Sequence, residues 1–242
     1  SNQSNHMYKL GPIHHGLLER GAKTASDSYV LWPAKVGAFS LVMGRHVCHQ
    51  DTRDLPFSYL IEQESTSYIV PGANLKSVGT IRDAKKWPQR DGRTDPDRLD
   101  CINFNLLSPY TIRKMIKGRE LLQSLQAVSG DRSDTYSFQS GLIRRSSLQK
   151  GLRLYSMAID KFLGNSLITR IMNSSFSTLD ELHEALRPTA CHGEGEWIDV
   201  GGMIVPENAF NALLDHVENG TVSDTRVVGK RLILVMDSMT MN

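Results

Sequence analysis

Small and aliphatic side chains along residues 16–42 fall into two interlocked frames. A small residue returns at every sixth position, Gly16, Ala22, Ser28, Ala34 and Ser40, and an aliphatic or β-branched one follows two positions later, at Leu18, Thr24, Val30, Val36 and Val42. Helices repeat near 3.6 residues and flat strands near two, so neither produces a period of six. Beyond residue 50 the pattern changes. Phe57, Tyr59 and Ile61 alternate, residues 63–67 turn, and Tyr68 to Val70 returns before Pro71-Gly72, which predicts a hairpin arm over 55–70. Pro88, Gly92 and Pro96 make 72–105 read as loop-rich. Ser108-Pro109 opens a helix that carries Ile112, Met115, Ile116, Leu122 and Leu125 to about Val128. After a polar stretch at 130–140, a second helix carries Leu148, Leu152, Tyr155, Ile159 and Phe162. The capping-box spacing of Thr178 and Glu181 starts a third, ended by Arg187-Pro188. A fourth runs from Pro206-Glu207 to near Gly220, with Phe210, Leu213, Leu214 and Val217 inward. Val227 to Met236 reads as a strand with no assigned partner.

A six-residue period sustained over several repeats predicts a left-handed parallel β-helix, in which three hexapeptides close one triangular coil of about 18 residues. The aliphatic frame would stack inside and the small frame would occupy crowded corners. An ordinary amphipathic strand pair is the alternative reading of the same residues. The frame breaks at His46, so residues 12–48 amount to about two coils, fewer than the roughly three that a solenoid needs. The chain therefore reads as the C-terminal portion of a longer solenoid, or else as one that starts at Met7 behind an expression tag. The expected fold class is mixed β and α: left-handed parallel β-helix coils of hexapeptide repeats followed by a mostly helical C-terminal domain. Its expected divisions are incomplete coils at 1–50, hairpin arm and connector at 51–105, helical domain at 106–220 and tail at 221–242.

Composition narrows the function classes. The chain has 242 residues, 40% of them hydrophobic and 22% charged, with a formal net charge of +2. That charge favours neither a nucleic-acid coat nor a membrane surface, and no run of about 18 apolar residues is present. Cys48, Cys101 and Cys191 are odd in number and far apart, which predicts reduced thiols in a cytoplasm.

Candidate chemistry gathers on histidines. His6, His14, His15, His46 and His49 all lie in or beside the expected coils. A neutral imidazole there can take a proton from an amine or hydroxyl as it attacks an acyl-CoA thioester, with backbone N–H groups holding the oxyanion. His14 and His15 lead as base because the pair interrupts the repeat where it begins, and His6 is the third candidate. A basic stretch, Lys85, Lys86 and Arg90 with Trp87 available to stack on a base, reads either as a phosphate grip or as a mixed solvated loop. His46, His49, Asp51 and Asp54 read chiefly as a cap that turns the chain off the coils, and only weakly as a metal site. His183, Cys191 and His192 are weaker still as ligands, and no metal is expected. Gly193 to Trp197 with Asp199 and Gly201-Gly202 lacks the order of a phosphate loop and reads as a structured connector.

The segments SNHMYKLGPIHHGLLERGAKTASDSYVLWPAKVGAFSLVMGRH, DTRDLPFSYLIE, SVGTIRDAKKWP, INFNLLSPYTI and GEGEWIDVGGMIVP resemble an uncharacterised bacterial family of long hexapeptide-repeat proteins, over the chain to about residue 220. The closing stretch from about Thr225 departs from that resemblance. More distantly the coils are similar to the acyltransferase half of sugar-nucleotide enzymes, a likeness of fold alone. The resemblance does not specify a reaction; the leading expectation is a transferase working as a homotrimer on a sugar or nucleotide sugar, with acyl-CoA as co-substrate and no firmly assigned cofactor. A non-catalytic trimeric scaffold or nucleotide-sugar sensor is the reading from a different class.

Overall fold

The structure, a computed structural model, describes residues 15–94, 96, 101–130, 133–187, 195–224 and 227–230. The chain divides into two compact units, Ser1–Lys86 with Lys114–Ile159, and Trp87–Arg113 with Asp160–Asn242.

In the first unit the six-residue period becomes a series of very short strands: β1 (Leu17–Leu18), β2 (Lys23–Thr24), β3 (Tyr29–Val30), β4 (Lys35–Val36), β5 (Leu41–Met43) and β6 (Arg45–His46). They pair in parallel, β1 with β4, β2 with β5 and β3 with β6, so that Leu17 lies beside Lys35, Lys23 beside Leu41 and Tyr29 beside Arg45. Three members of the aliphatic frame form the core, Val30, Val36 and Val42 being buried with Ala34 and Leu60, while Leu18 is 38% exposed and Thr24 half-buried. The small frame is crowded, as a Cβ on Gly16 would fall 1.6 Å from the Trp32 ring. Ser28 and Ser40 are fully buried, and Ser28 donates to the Val42 carbonyl at 3.0 Å.

These strands do not form the expected left-handed β-helix. Among the described residues no solenoid closes. The two layers fall into separate small sheets, and the sheet that continues turns antiparallel. β5 pairs with β7 (Tyr59–Gln63), β7 returns as β8 (Thr66–Val70), and β8 pairs with β10 (Gly141–Arg144), which is flanked by β9 (Thr135–Phe138). The physical reason is the end of the repeat at His46. Two layers of two-residue strands bury too little to propagate, and the longer hairpin strands of 59–70 take up the open edge instead. The fold class is thus corrected to mixed α/β, with small sheets and helices.

Five α-helices of eight residues or more occur among the described residues: α1 (Val78–Arg90), α2 (Pro109–Ser129), α3 (Arg145–Met172), α4 (Leu179–Leu186) and α5 (Glu207–Glu218). α1 lies within the stretch expected to be loop-rich. Its Pro88 stands in the last turn, where the missing N–H removes one bond and the helix stops two residues later. In the first unit α2 and α3 close on the sheet through glycine. A Cβ on Gly118 would meet the Asp54 carbonyl oxygen at 2.3 Å, and one on Gly151 would meet Pro71 at 2.8 Å. Within the polar stretch 130–140, expected from its composition to be mobile, residues 135–138 form β9. Gln139 clasps the backbone of Asp51, accepting its N–H at 2.7 Å and donating to its carbonyl at 2.9 Å.

The second unit holds α4, whose capping box joins Thr178 and Glu181 as the spacing predicts. The connector before α5 is a hairpin, β11 (Trp197–Val200) and β12 (Met203–Pro206), turned through Gly201 and Gly202 at φ 61° and 99°. Met203, Val205 and Leu213 are its core. Leu214 and Val217, expected inward, are 40% and 39% exposed. Residues 231–236 of the expected last strand lie outside the described residues, and 227–230 are helical.

Candidate functional site

His6 and His14 lie outside the described residues, and His15 is exposed just ahead of β1. Lys85, Lys86 and Arg90 are exposed on α1 and Trp87 is half-buried. Lys85 and Lys86 belong to the first unit and Trp87 and Arg90 to the second. As successive positions on a helix, Lys85 and Lys86 also point away from each other.

The His46 to Asp54 constellation also separates. Asp51 pairs with Arg53 at 2.6 Å and Lys35 at 3.8 Å. Burial pushes its carboxyl upward, but the Arg53 hydrogen bonds and the two positive charges outweigh this and hold it below the usual carboxylate range. Cys191 and His192 lie outside the described residues. Among the described residues no group of three or more His, Cys, Asp and Glu side chains is placed to hold a metal ion.

What the fold does assemble is a polar cluster beside the first unit's core. From Arg45 to Gln50 the backbone is extended enough that exposure alternates: Arg45, Val47 and His49 face out, His46 and Gln50 are buried and Cys48 is half-buried. Across from them, β8 presents Ser67, which is 5% exposed. His46 Nε2 lies 3.1 Å from the Met43 carbonyl, and Nδ1 lies 2.8 Å from Ser67 Oγ. Facing a carbonyl, Nε2 must carry the hydrogen, so Nδ1 is the acceptor and the Ser67 hydroxyl donates to it. Burial pushes the imidazole pKa below its ordinary value of 6.5, while the backbone carbonyls of Met43 and Leu60 and the charge of Glu62 pull the other way. The ring is therefore neutral at physiological pH and free to accept. Ser67 Oγ in turn lies 3.4 Å from Cys48 Sγ, and Gln50 Nε2 donates to that sulfur at 3.6 Å. Gln50 is 4% exposed, and its Oε1 has no hydrogen-bond partner among the described residues. The sequence carries half of this signal, in the alternation His46, Cys48, Gln50. Ser67 comes from 21 positions away and has no local mark.

A second feature lies in the part of α3 that belongs to the second unit. Leu163, Leu167, Ile168 and Met172 are 51%, 50%, 55% and 78% exposed. At 100° per residue they and Ile171 span an apolar arc of about 180° with Gly164 near its middle, opposite Asn165, Ser166, Thr169 and Asn173. A Cβ on Gly164 would meet nothing within 4 Å. Phe176 and Leu179 continue the exposed apolar series beyond the helix. No described helix is long and apolar enough to cross a membrane.

The chain is thus a mixed α/β protein with a buried hydroxyl–imidazole pair beside a half-buried thiol, and an amphipathic helix that turns its apolar arc to solvent. A family model described as Domain of unknown function (DUF4954) matches residues 1–126, more than half of the chain, and the chain belongs to that family. A second, Domain of unknown function (DUF6819), matches residues 178–239. Neither description is a hexapeptide-repeat family, so with the absence of a closed solenoid the resemblance drawn from sequence is set aside. No curated protein and no solved structure matches the chain.

Proposed function

We propose that the chain is a non-catalytic assembly module whose second unit binds further copies of the same chain through the apolar arc of α3. The observation that carries this reading is the exposure of Leu163, Leu167, Ile168 and Met172 on one contiguous face. Exposed apolar patches of this kind mark association surfaces, because burying them removes the area from water at about 25 cal/mol per Å². Gly164 leaves a notch between aliphatic knobs on the same helix, at a helix-interior cost of about 1 kcal/mol relative to Ala. A surface with both knob and notch suits a partner that carries the same surface. Three copies is the stoichiometry expected from sequence. The cytoplasm is the proposed setting, supported by the free thiols of Cys48 and Cys101.

Filling the notch tests this reading. Gly164→Leu should weaken association in sedimentation velocity while leaving helicity unchanged. Association unchanged in that variant would count against α3 as the interface.

One observation favours a different class. His46, held neutral by burial and accepting from Ser67 at 2.8 Å, is a candidate base in the first unit, as acyl transfer from an acyl-CoA to a sugar or nucleotide sugar would require. A rise in thermal midpoint with acetyl-CoA would support that transferase reading.

A further inference from the structure

We infer that the face binding a second copy is built from two helices, α4 completing the surface that α3 begins, and that Arg170 holds α4 in place for it. This rests on the assembly proposed above and names the other half of the same site. All the residues involved lie in the second unit.

The arc on α3 is too small by itself. A stable interface between two proteins buries about 800 Å² on each. Leu163, Leu167, Ile168 and Met172, between 50% and 78% exposed, together offer roughly half of that area. The remainder has to come from other apolar side chains that the second unit leaves open. Phe176 and Leu179, the next along the chain, are 39% and 73% exposed. Leu179 opens α4 and shares one helix face with Leu182 and Leu186, three and seven positions on. That face is half-buried at Leu182 and Leu186 and open at Leu179.

What singles out α4 is its attachment to α3. A helix of eight residues is too short to persist without tertiary support. Arg170 supplies that support, donating from Nε to the Ala185 carbonyl at 2.7 Å and from Nη2 to the Arg187 carbonyl at 3.0 Å. These bonds fill acceptors that a helix end leaves open and set a positive charge at its negative pole. At 100° per residue Arg170 stands about 20° outside Leu163, at the border of the apolar arc and away from the middle of the polar side that carries Asn165, Thr169 and Asn173. The clasp therefore fixes the end of α4 on the flank of the arc, and Leu179 extends the surface that a second copy would cover.

The experiment measures self-association of the full chain by sedimentation velocity over a concentration series, beside Leu167→Glu, Leu179→Glu and Arg170→Ala, with circular dichroism checking that each is folded. Leu179 is largely exposed, so its replacement costs the fold little. The expected result is a Kd raised at least about tenfold by Leu179→Glu as well as by Leu167→Glu. Arg170→Ala, which leaves every apolar side chain in place, should raise the Kd and speed hydrogen exchange over residues 179–186. Association lost in Leu167→Glu but unchanged in Leu179→Glu would overturn the two-helix face and leave assembly through α3 standing. Faster exchange in Arg170→Ala with an unchanged Kd would overturn the role of the clasp. An unaltered chain that stays a single copy at every concentration would overturn both readings.

Discussion

The phenol of Tyr155 donates to the carbonyl of Pro56 at 2.7 Å, tying α3 to a loop 99 positions earlier in the chain. Tyr155 is fully buried, and burial pushes its hydroxyl pKa far upward, so it stays a neutral donor throughout the working range. Tyr155→Phe keeps the ring and leaves the Pro56 carbonyl without this donor. We expect a loss of about 1–3 kcal/mol in urea unfolding, with an unchanged slope.

Glycines in the helices differ sharply in what surrounds them. At Gly118 a Cβ would overlap the Asp54 carbonyl oxygen at 2.3 Å, a backbone atom that cannot swing aside, whereas at Gly79 it would meet only the Ser77 hydroxyl at 3.5 Å. Gly118→Ala should therefore destabilise by more than about 2 kcal/mol, and Gly79→Ala should stabilise by about 0.5 kcal/mol through helix propensity. Paired thermal melts of the two variants check the sign of each.

Lys114 and Glu19 form a sheltered ion pair at 2.8 Å, with side chains 14% and 7% exposed, and Glu19 also accepts the Ala38 N–H at 3.0 Å. Lys114→Met removes one partner and leaves a buried carboxylate. A loss of about 3 kcal/mol is expected. Because the pair is sheltered, the difference from the unaltered chain should persist in high salt, which repeated denaturant titrations would read.

His46 sets a pH dependence with a definite sign. Its folded pKa is depressed below 6.5, so the unfolded chain binds a proton that the folded chain refuses. Its contribution is at its full value above about pH 6.5 and declines as pH falls toward the depressed folded value. Asp51, held below 3.8, acts in a lower window and does not offset this. Urea midpoints should fall between about pH 7 and pH 5, and His46→Gln should flatten that slope. An equal slope in the variant would show that another group carries it.

How much of this was legible in the sequence follows from the range of the forces involved. The later members of the two frames, Val30, Val36 and Val42 and Ser28, Ala34 and Ser40, are buried as the period predicts, whereas Leu18 and Gly16 at its start are exposed and Ala22 and Thr24 half-buried. The cap at Thr178 was legible from local spacing, and so was the hairpin expected over 55–70, although its strands start at Tyr59 and its turn is only residues 64–65 rather than 63–67. Closure was not. Whether a short parallel layer continues or yields to an antiparallel hairpin depends on the edge offered by Leu41 to Met43, a non-local competition. α1 was missed because Pro88, an apparent breaker, falls in its final turn. Ser67 could not be found because only the fold brings it to His46. The outward turn of Leu163, Leu167, Ile168 and Met172 depends on what the rest of the chain covers, which periodicity does not encode.

The most direct test of self-assembly through α3 is multi-angle light scattering of the full chain at micromolar concentration, beside Leu167→Glu. The account predicts a mass of several copies for the unaltered chain and of one copy for the variant. An unaltered chain that scatters as a single copy, or a variant that assembles as well as its parent, would contradict it.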